Sequence, residues 1–285
     1  MSASVVIPAR NAERTLPRVL EALHRQEVQP LEVIVVDDSS TDRTVAIARD
    51  LGARVIPSGR HQLAGGARNA GLDVAQGDTV VFLDADAVPH DDWGVSLARA
   101  FDEFPGSIIG CARTFEASTS WGWVAHLQVE TPYLPRGKPR EVQFVSSYCM
   151  AVPRSLGLRF DESYGGEDAF FCARARSAGA RIVFDPRIVA SHEHERRSFA
   201  DLRAQQRRLA FGLARAARAG ILDRRRAALV RFPFQYFLLL RLPALYRRLA
   251  EDEPLRRRFR SLLPQLVLAE WTLGASAIRY MFSSS

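Results

Sequence analysis

Two pairs of aspartates follow apolar runs at separate places in the chain. Asp37 and Asp38 come directly after "VIVV", and Asp84 and Asp86 follow "VVFL" with one residue between them. Such runs form strands buried on both faces, and ligands of open α/β sheets bind beyond the carboxyl ends of the strands. If the two strands are parallel neighbours, the four carboxylates meet at one edge of the sheet.

Four carboxylates at one edge raise each other's pKa values unless a cation or hydrogen-bond donors accompany them. A divalent cation that bridges the acids to a phosphorylated ligand meets this need, because Mg²⁺ and Mn²⁺ accept carboxylate and phosphate oxygens. Capping of a following helix is the alternative, above all for Asp37 and Asp38, which precede "SSTD".

A third acidic pair, Glu167 and Asp168, opens the helical pattern "EDAFFCARARSAG", which ends at Gly179. A carboxylate at a helix start can serve as a general base toward a hydroxyl group. Acids in the first turn also complement the helix dipole without any chemistry, so the pattern alone leaves both interpretations open.

The elements that position these acids alternate between strand-like and helix-like segments. Near-continuous Val, Ile and Leu runs predict a mostly parallel central sheet flanked by helices, which is an α/β fold. The predicted strands lie at 3–9, 31–38, 53–57 and 79–86, and the predicted helices at 13–26, 41–52 and 63–77. Further along we expect strands at 107–115, 142–152 and 180–186, a helix at 165–179 and a mobile loop at 132–141.

The composition suits one large domain with an extension, since the chain has 285 residues and is 47% hydrophobic. Its charge is uneven. Residues 1–195 carry 20 Arg and Lys against 26 Asp and Glu (net −6), and residues 196–285 carry 19 against 6 (net +13). Three widely spaced cysteines without a CxxC pair, and no secretory pattern, favour a reducing compartment.

Several segments in order, "SVVIPARNAERTLPRVLEAL", "EVIVVDDSSTDRT" and "GGARNAGLDVAQGDTVVFLDAD", resemble family 2 glycosyltransferases with the GT-A fold. The resemblance continues through "GLRFDESYGGEDAFFCARARSAGARIVFDP" to "VASHEH", so it covers about residues 3–195. It implies a GT-A fold and inverting transfer of a sugar from a nucleoside diphosphate, commonly UDP, to a hydroxyl acceptor. The departures are mild, such as "DDSS" where "DDGS" is commoner.

The resemblance also implies a donor site. Asp38 matches the acid that hydrogen-bonds the base, Asp37 shapes that pocket, and Asp84 approaches the ribose or the donor sugar. The other implied donor contacts are Pro8, Ala9, Arg10, Arg68, Asn69 and Ala85.

A metal site and a base are implied in the same way. Asp86 would bind Mg²⁺ or Mn²⁺ directly beside Asp84, and His192, in preference to His194, would complete that site. Asp168, with Glu167 next to it, matches the general base that takes the acceptor's proton.

These observations predict a GT-A catalytic domain at 1–195, with a nucleotide-sugar half at about 1–105 and an acceptor half at about 106–195. A basic amphipathic helical extension is predicted at 196–285. The acceptor is expected to be lipid-linked or a growing cell-surface polysaccharide.

The extension contains apolar stretches at 227–246 and 261–282. Prolines and charged residues interrupt them, so interfacial helices with arginines toward anionic headgroups are favoured over spanning ones. This pattern predicts a cytoplasmic protein held peripherally at the inner face of the cell membrane. A spanning helix at 261–282, a helical subdomain packed on the catalytic core and an oligomer interface stay open, and no nucleic-acid-binding motif accompanies the arginines.

Two other functions compete with glycosyl transfer. A sugar-phosphate nucleotidyltransferase expects a "GGxGTR"-like segment after the first strand, where this chain has "PARNAERT". A non-catalytic nucleotide-sugar-binding scaffold would have a degenerate site, but all the expected acids are present. A dinucleotide-binding dehydrogenase is disfavoured because no GxGxxG follows the first strand.

Overall fold

The structure, a computed structural model, describes residues 2–58, 61–193, 196–222 and 236–282. These residues form two compact units. The sheet unit takes the described residues of 1–114, 134–163 and 167–193. The helical unit takes those of 115–133, 164–166, 196–222 and 236–282.

The first part of the sheet unit is a parallel sheet, as the Val, Ile and Leu runs predict. Its strands are β1 (Ala3–Ala9), β2 (Glu32–Asp37), β3 (Arg54–Pro57) and β4 (Thr79–Leu83). They lie in the order β3-β2-β1-β4, and each neighbouring pair is parallel. The connecting helices are α1 (Leu16–His24), α2 (Thr44–Asp50) and α3 (Leu63–Val74). The carboxyl ends of β1, β2 and β4 therefore share one edge.

Beyond β4 the sheet becomes antiparallel, so the whole is a mixed α/β sheet with flanking helices. The additional strands are β5 (Ala87–Pro89), β6 (Ile108–Phe115), β7 (Arg140–Glu141), β8 (Cys149–Pro153) and β9 (Ile182–His192). The helices are α4 (Trp93–Glu103), α5 (Ser120–Val129), which belongs to the helical unit, and α6 (Glu167–Ser177). The order continues from β4 as β8-β6-β9-β5, with β7 paired to β9.

Burial explains why the central strands form. Val5, Val6 and Ile7 are fully buried, so β1 is covered on both faces. Leu16 and Leu20 of α1 pack in the same core. Each such side chain contributes about 1.5–3 kcal/mol when it leaves water.

The structure differs from the sequence prediction in several details, including β5 and α4, for which no element was predicted. Of the strand expected at 142–152, only β8 is a strand, and the segment expected as a loop at 132–141 includes β7, which pairs with β9. Trp121 and Trp123 lie in α5, for which no helix was predicted. Helix α5 is apolar around most of its circumference, and so lacks the periodic pattern by which an amphipathic helix is recognised.

The helical unit is built around two long helices. Besides α5 it contains α7 (Phe199–Arg218), a π-helical segment (Tyr236–Arg241), α8 (Leu242–Arg248), α9 (Glu253–Ser261) and α10 (Leu263–Phe282). Leu273 and Ala277 of α10 pack against Ala210 of α7. Residues 227–235 of the predicted apolar stretch lie outside the described residues, as does His194. Among the described helices, none is both long and apolar enough to cross a bilayer.

A buried polar network joins the helices of this unit. Glu270 of α10 is fully buried, and its carboxylate accepts hydrogen bonds from Arg241 Nη1 at 2.6 and 2.8 Å and from Gln128 Nε2 at 2.8 Å. The Gln128 side-chain oxygen in turn accepts one from Gln206 Nε2 of α7 at 2.7 Å. A buried charge needs such partners, so Glu270 and Arg241 depend on each other.

We predict that Glu270→Gln lowers the free energy of unfolding by about 3 kcal/mol, because Arg241 then keeps its charge beside an uncharged amide. Asp73→Asn is the matched control, since Asp73 pairs with Arg159 where both side chains are about half exposed, at 54% and 51%. It should cost less than about 1 kcal/mol. Urea unfolding followed by circular dichroism measures both values, and equal losses would contradict the prediction.

Candidate active site

The Asp84–Asp86 segment forms a tight turn at the carboxyl end of β4. The Asp84 N–H donates to the Tyr148 carbonyl at 2.9 Å, and the Asp84 carbonyl accepts from the Ala87 N–H at 3.0 Å. Leu83 is fully buried, whereas the Asp84 and Asp86 side chains are 31% and 30% exposed. The strand therefore delivers both carboxylates to the sheet edge, with Ala85 between them packed against the core.

Two of the acidic motifs contact the same cation, the guanidinium of Arg68 on α3. Its buried guanidinium lies 2.6 Å from Asp84 Oδ1 and 3.6 Å from Glu167 Oε1. Burial lowers the pKa of Arg68, but Asp84, Asp168 and Glu167 together raise it above its usual value. The acids predicted at 84 and at 167–168, about 80 residues apart in sequence, thus surround the same charge.

The pKa of Asp84 is raised, first because its carboxyl is partly withdrawn from water and also because Asp86 lies nearby. Arg68 and His192 act in the opposite direction. The rise therefore comes from burial first, since the effect of Asp86 is smaller than the opposing effect of Arg68.

His192 and Glu193 lie next to Asp86. Pairing of β5 with β9 sets Ala87 opposite His192, and His192 Nε2 is 3.7 Å from Asp86 Oδ1. The Glu193 N–H donates to the Asp86 carbonyl at 2.9 Å, while its carboxylate is 2.7 Å from Arg18 Nη1. Burial, with a smaller effect of Asp86, raises the pKa of Glu193. Sequence reasoning missed Glu193, although it directly follows His192.

Asp168 lies in the first turn of α6, and Ser147 holds its carboxylate. The Ser147 hydroxyl donates to Asp168 Oδ1 at 2.9 Å, and the Ser147 N–H donates to Oδ2 at 3.2 Å. Two donors from one residue fix the orientation of the carboxylate. No pattern in the sequence singled out Ser147.

The acids after β2 are engaged by the chain itself. Asp38 accepts hydrogen bonds from His61 Nδ1 and the Gln62 N–H, each at 2.6 Å, and Asp37 Oδ1 accepts from the Ser40 N–H at 3.2 Å. His61 Nε2 lies 2.9 Å from Arg10 Nη1. The tautomer with the proton on Nδ1 satisfies both contacts, since the ring then donates to Asp38 and accepts from Arg10.

Pro8 and Ala9 end β1 beside this pair. In the parallel register Pro8 lies opposite Val36 and Ala9 opposite Asp37. The predicted donor contacts Pro8, Ala9, Arg10, Asp37 and Asp38 therefore lie at adjacent strand ends.

Asn69 fastens α3 to the segment before α6. Its Oδ1 accepts from the Phe160 N–H at 2.8 Å, and its Nδ2 donates to the Phe160 carbonyl at 3.1 Å and to Glu162 Oε1 at 3.0 Å. A Cβ on Gly65 would lie 2.1 Å from the Asp161 carbonyl oxygen. Gly65 therefore permits a close approach of protein backbone, and the donor contact predicted for Asn69 stays a prediction.

Comparison with known proteins gives the family of the chain. The family model "Glycosyl transferase family 2" matches residues 4–157. The amylovoran biosynthesis glycosyltransferase AmsB of Erwinia amylovora is 40% identical over 220 residues, which cover 67% of this chain and 69% of that protein. The chain is a family 2 glycosyltransferase.

This glycosyltransferase is also 32% identical over 211 residues to the pre-mycofactocin glycosyltransferase of Mycobacterium tuberculosis. The match covers 67% of the chain but only 42% of the mycobacterial relative's length. The mannosyltransferase PcManGT from Pyrobaculum calidifontis, solved with GDP-Man and Mn²⁺, has a TM-score of 0.63 at 20% identity, over 100% of this chain and 88% of that one. That likeness shows the GT-A fold.

We predict that Asn69→Asp lowers the free energy of unfolding by about 1–3 kcal/mol, because a carboxylate cannot donate to the Phe160 carbonyl. Asn11→Asp is the matched control, since the Asn11 side chain accepts from the Thr41 N–H at 2.8 Å, a role that a carboxylate can fill. It should change stability by less than about 0.5 kcal/mol. Thermal unfolding of both variants measures the difference, and unchanged stability of Asn69→Asp would contradict the role given to the hydrogen bonds between Asn69 and Phe160.

Proposed function

We propose that this glycosyltransferase moves a sugar from a nucleoside diphosphate, UDP in the first instance, to a hydroxyl acceptor with inversion, and that it depends on Mg²⁺ or Mn²⁺. The observation that carries the proposal is the meeting of Asp84 and Glu167 at Arg68, beside Asp168. It supports a single site where the acids after β4 serve the donor and those opening α6 serve the acceptor. The donor half is proposed at about 1–105 and the acceptor half at about 106–195.

The donor set supports a divalent cation. Asp84, Asp86 and His192 offer carboxylate oxygens and an imidazole nitrogen, which suit Mn²⁺, and the carboxylates alone suit Mg²⁺. When bound, the ion would stabilise the negative charge that develops on the departing diphosphate.

Asp168 is the proposed general base. Its carboxylate takes the proton of the acceptor hydroxyl as that oxygen forms its bond to the anomeric carbon and the bond to the diphosphate breaks. Displacement in one step inverts the anomeric centre. The two hydrogen bonds from Ser147 keep the carboxylate oriented, while Glu167 and Arg68 balance charge beside it.

We also propose that the acceptor is a glycan or a lipid-linked molecule at the inner face of the cell membrane. The biosynthetic name of the Erwinia relative agrees with this proposal. The support lies on α10, which carries a stripe of exposed apolar side chains. Its members are Leu263, Val267, Leu268, Trp271 and Phe282. Such a face commonly marks a binding surface.

The positive charge of the two helices that precede α10 favours an anionic lipid surface as the partner of the stripe. Helices α8 and α9 carry six arginines, with Glu253 as their acid. Arginine clusters beside an apolar helix face suit binding to headgroups with shallow insertion of apolar side chains. A second copy of this chain, or another protein, would not need the excess of positive charge.

We predict that Asp168→Asn lowers kcat by about 10²–10⁴-fold, because an amide cannot accept the proton. Thermal stabilisation by UDP with Mn²⁺ should survive in this variant. In Asp86→Asn that stabilisation should be lost, since a ligand of the proposed ion is removed.

Asp92→Asn, at an exposed aspartate, is the control and should change neither measurement. Hydrolysis or transfer of a UDP-sugar, assayed with Mn²⁺ and with EDTA, supplies the turnover. Full activity of Asp168→Asn would contradict its role as base, and full activity in EDTA would contradict metal dependence.

We predict that Trp271→Glu weakens binding to vesicles that contain anionic lipid by about tenfold, because a charge replaces an inserted apolar ring. Leu31→Glu is the matched control, with the wild-type side chains 54% exposed at Leu31 and 52% at Trp271. Co-sedimentation measures both. Unchanged vesicle binding of Trp271→Glu contradicts the membrane proposal, and loss of a dimer in that variant would identify the stripe as a self-association face.

A further inference from the structure

Arg68 carries hydrogen-bond donors that its contact with Asp84 does not use. Its Nη2 donates to Asp84 Oδ1 at 2.6 Å, whereas Nε and Nη1 are buried and make no hydrogen bond with any of the described residues. Nη1 lies 3.6 Å from Glu167 Oε1, which is an ion pair just beyond hydrogen-bond distance. A buried donor without an acceptor is unfavourable, so the guanidinium has capacity for a second partner.

We propose that Glu167 is this second partner, and that it accepts hydrogen bonds from Arg68 when a divalent cation binds at Asp84 and Asp86. Glu167 is then a positioning residue for the metal site of the donor, because it acts there through Arg68. The inference rests on the proposed metal-dependent transfer, and it assigns to one acid of α6 an effect on the affinity for the metal.

Arg68 and a divalent cation compete for Asp84. Both are positive and both use the same carboxylate, so each weakens the attraction that the other feels. The guanidinium has only 4% of its side chain exposed, so it does not exchange Asp84 for water. A buried charge that loses its partner is strongly unfavourable, and Arg68 therefore needs another anion inside the protein.

Glu167 is placed to supply that anion. Its side chain is 8% exposed, so Arg68 reaches it without leaving the interior. A displacement of less than about 1 Å brings Nη1 of Arg68 and Oε1 of Glu167 to hydrogen-bond distance. The new bond joins two charged groups, which makes it stronger than a bond between neutral partners.

The surroundings of Arg68 fix its helix and leave its side chain as the part that moves. Asn69, the next residue of α3, exchanges hydrogen bonds with the backbone of Phe160 at 2.8 and 3.1 Å. A Cβ on Gly71 would lie 2.2 Å from Val6 Cγ1, so α3 packs directly on β1. The Arg68 Cζ lies 5.5 Å from the centroid of the Phe160 ring, a surface without a competing carboxylate.

The exchange couples the acids after β4 to the acids that open α6. A cation bound at Asp84 strengthens the contact between Arg68 and Glu167. By thermodynamic linkage, a change at Glu167 alters the affinity for that cation by the same free energy. The coupling is therefore measured as a binding constant, independently of turnover.

Titration with Mn²⁺, followed by the electron paramagnetic resonance signal of the free ion, tests the inference without any substrate. Glu167→Gln, which keeps the size of the side chain, should weaken Mn²⁺ binding by about tenfold, because an amide does not draw Arg68 away from Asp84. Glu141→Gln is the control, since the Glu141 side chain on β7 is 64% exposed. It should bind Mn²⁺ within about twofold of wild type.

A second variant separates the reach of the side chain from its charge. Glu167→Asp keeps the carboxylate but places it farther from Arg68, so it should also weaken Mn²⁺ binding. Wild-type affinity of Glu167→Asp beside weak binding of Glu167→Gln would mean that the charge acts through space, and the exchange of partners is then overturned. Equal binding by Glu167→Gln and Glu141→Gln overturns it as well.

Asp86→Asn, which removes a proposed ligand of the ion, is measured in parallel. Weak Mn²⁺ binding by Asp86→Asn with normal binding by Glu167→Gln rejects this inference alone. No Mn²⁺ binding by wild type rejects both the inference and the proposed metal dependence.

Discussion

The buried guanidinium of Arg68 is the interaction on which the arrangement of the site depends. A cation withdrawn from water is stable only beside anions, and anions crowded at a sheet edge are stable only beside a cation. Arg68 lies on α3, Asp84 follows β4 and Glu167 opens α6, so this exchange of charge ties together three elements that are distant in sequence. Electrostatic attraction therefore stabilises the packing of α3 on the sheet and the position of α6, in addition to hydrophobic burial.

Two consecutive residues before β8 connect the acidic motifs a second time. The Tyr148 carbonyl accepts a hydrogen bond from the Asp84 N–H, and Ser147 donates two hydrogen bonds to the Asp168 carboxylate. The Tyr148 ring also lies 4.5 Å from the ring of His192. A small displacement of this segment would move the turn after β4 and the carboxylate of α6 together, because backbone hydrogen bonds transmit it to both.

The strands, the acids at their ends and the fold could be predicted from sequence because each depends on a local pattern. Val and Ile runs mark β1, β2 and β4, and an acid after such a run has few structural explanations. Ser147 and His61 could not be found in this way, because a serine or a histidine gains its role only from a partner distant in sequence. Helix α5 escaped prediction for a different reason, since a helix buried on most sides has no polar face to reveal its period.

The hydrogen bonds around Asp38 have a consequence for how a nucleotide would enter. This carboxylate already accepts hydrogen bonds from His61 Nδ1 and the Gln62 N–H, each at 2.6 Å. Arg10 Nη1 contacts the other nitrogen of the same imidazole, Nε2. If Asp38 recognises a base, the incoming ring shares this carboxylate with the protein's own donors or replaces one of them, because an ionised carboxylate accepts about four hydrogen bonds. The affinity for a base would then depend on the polar contacts that the protein keeps as well as on those that the base adds.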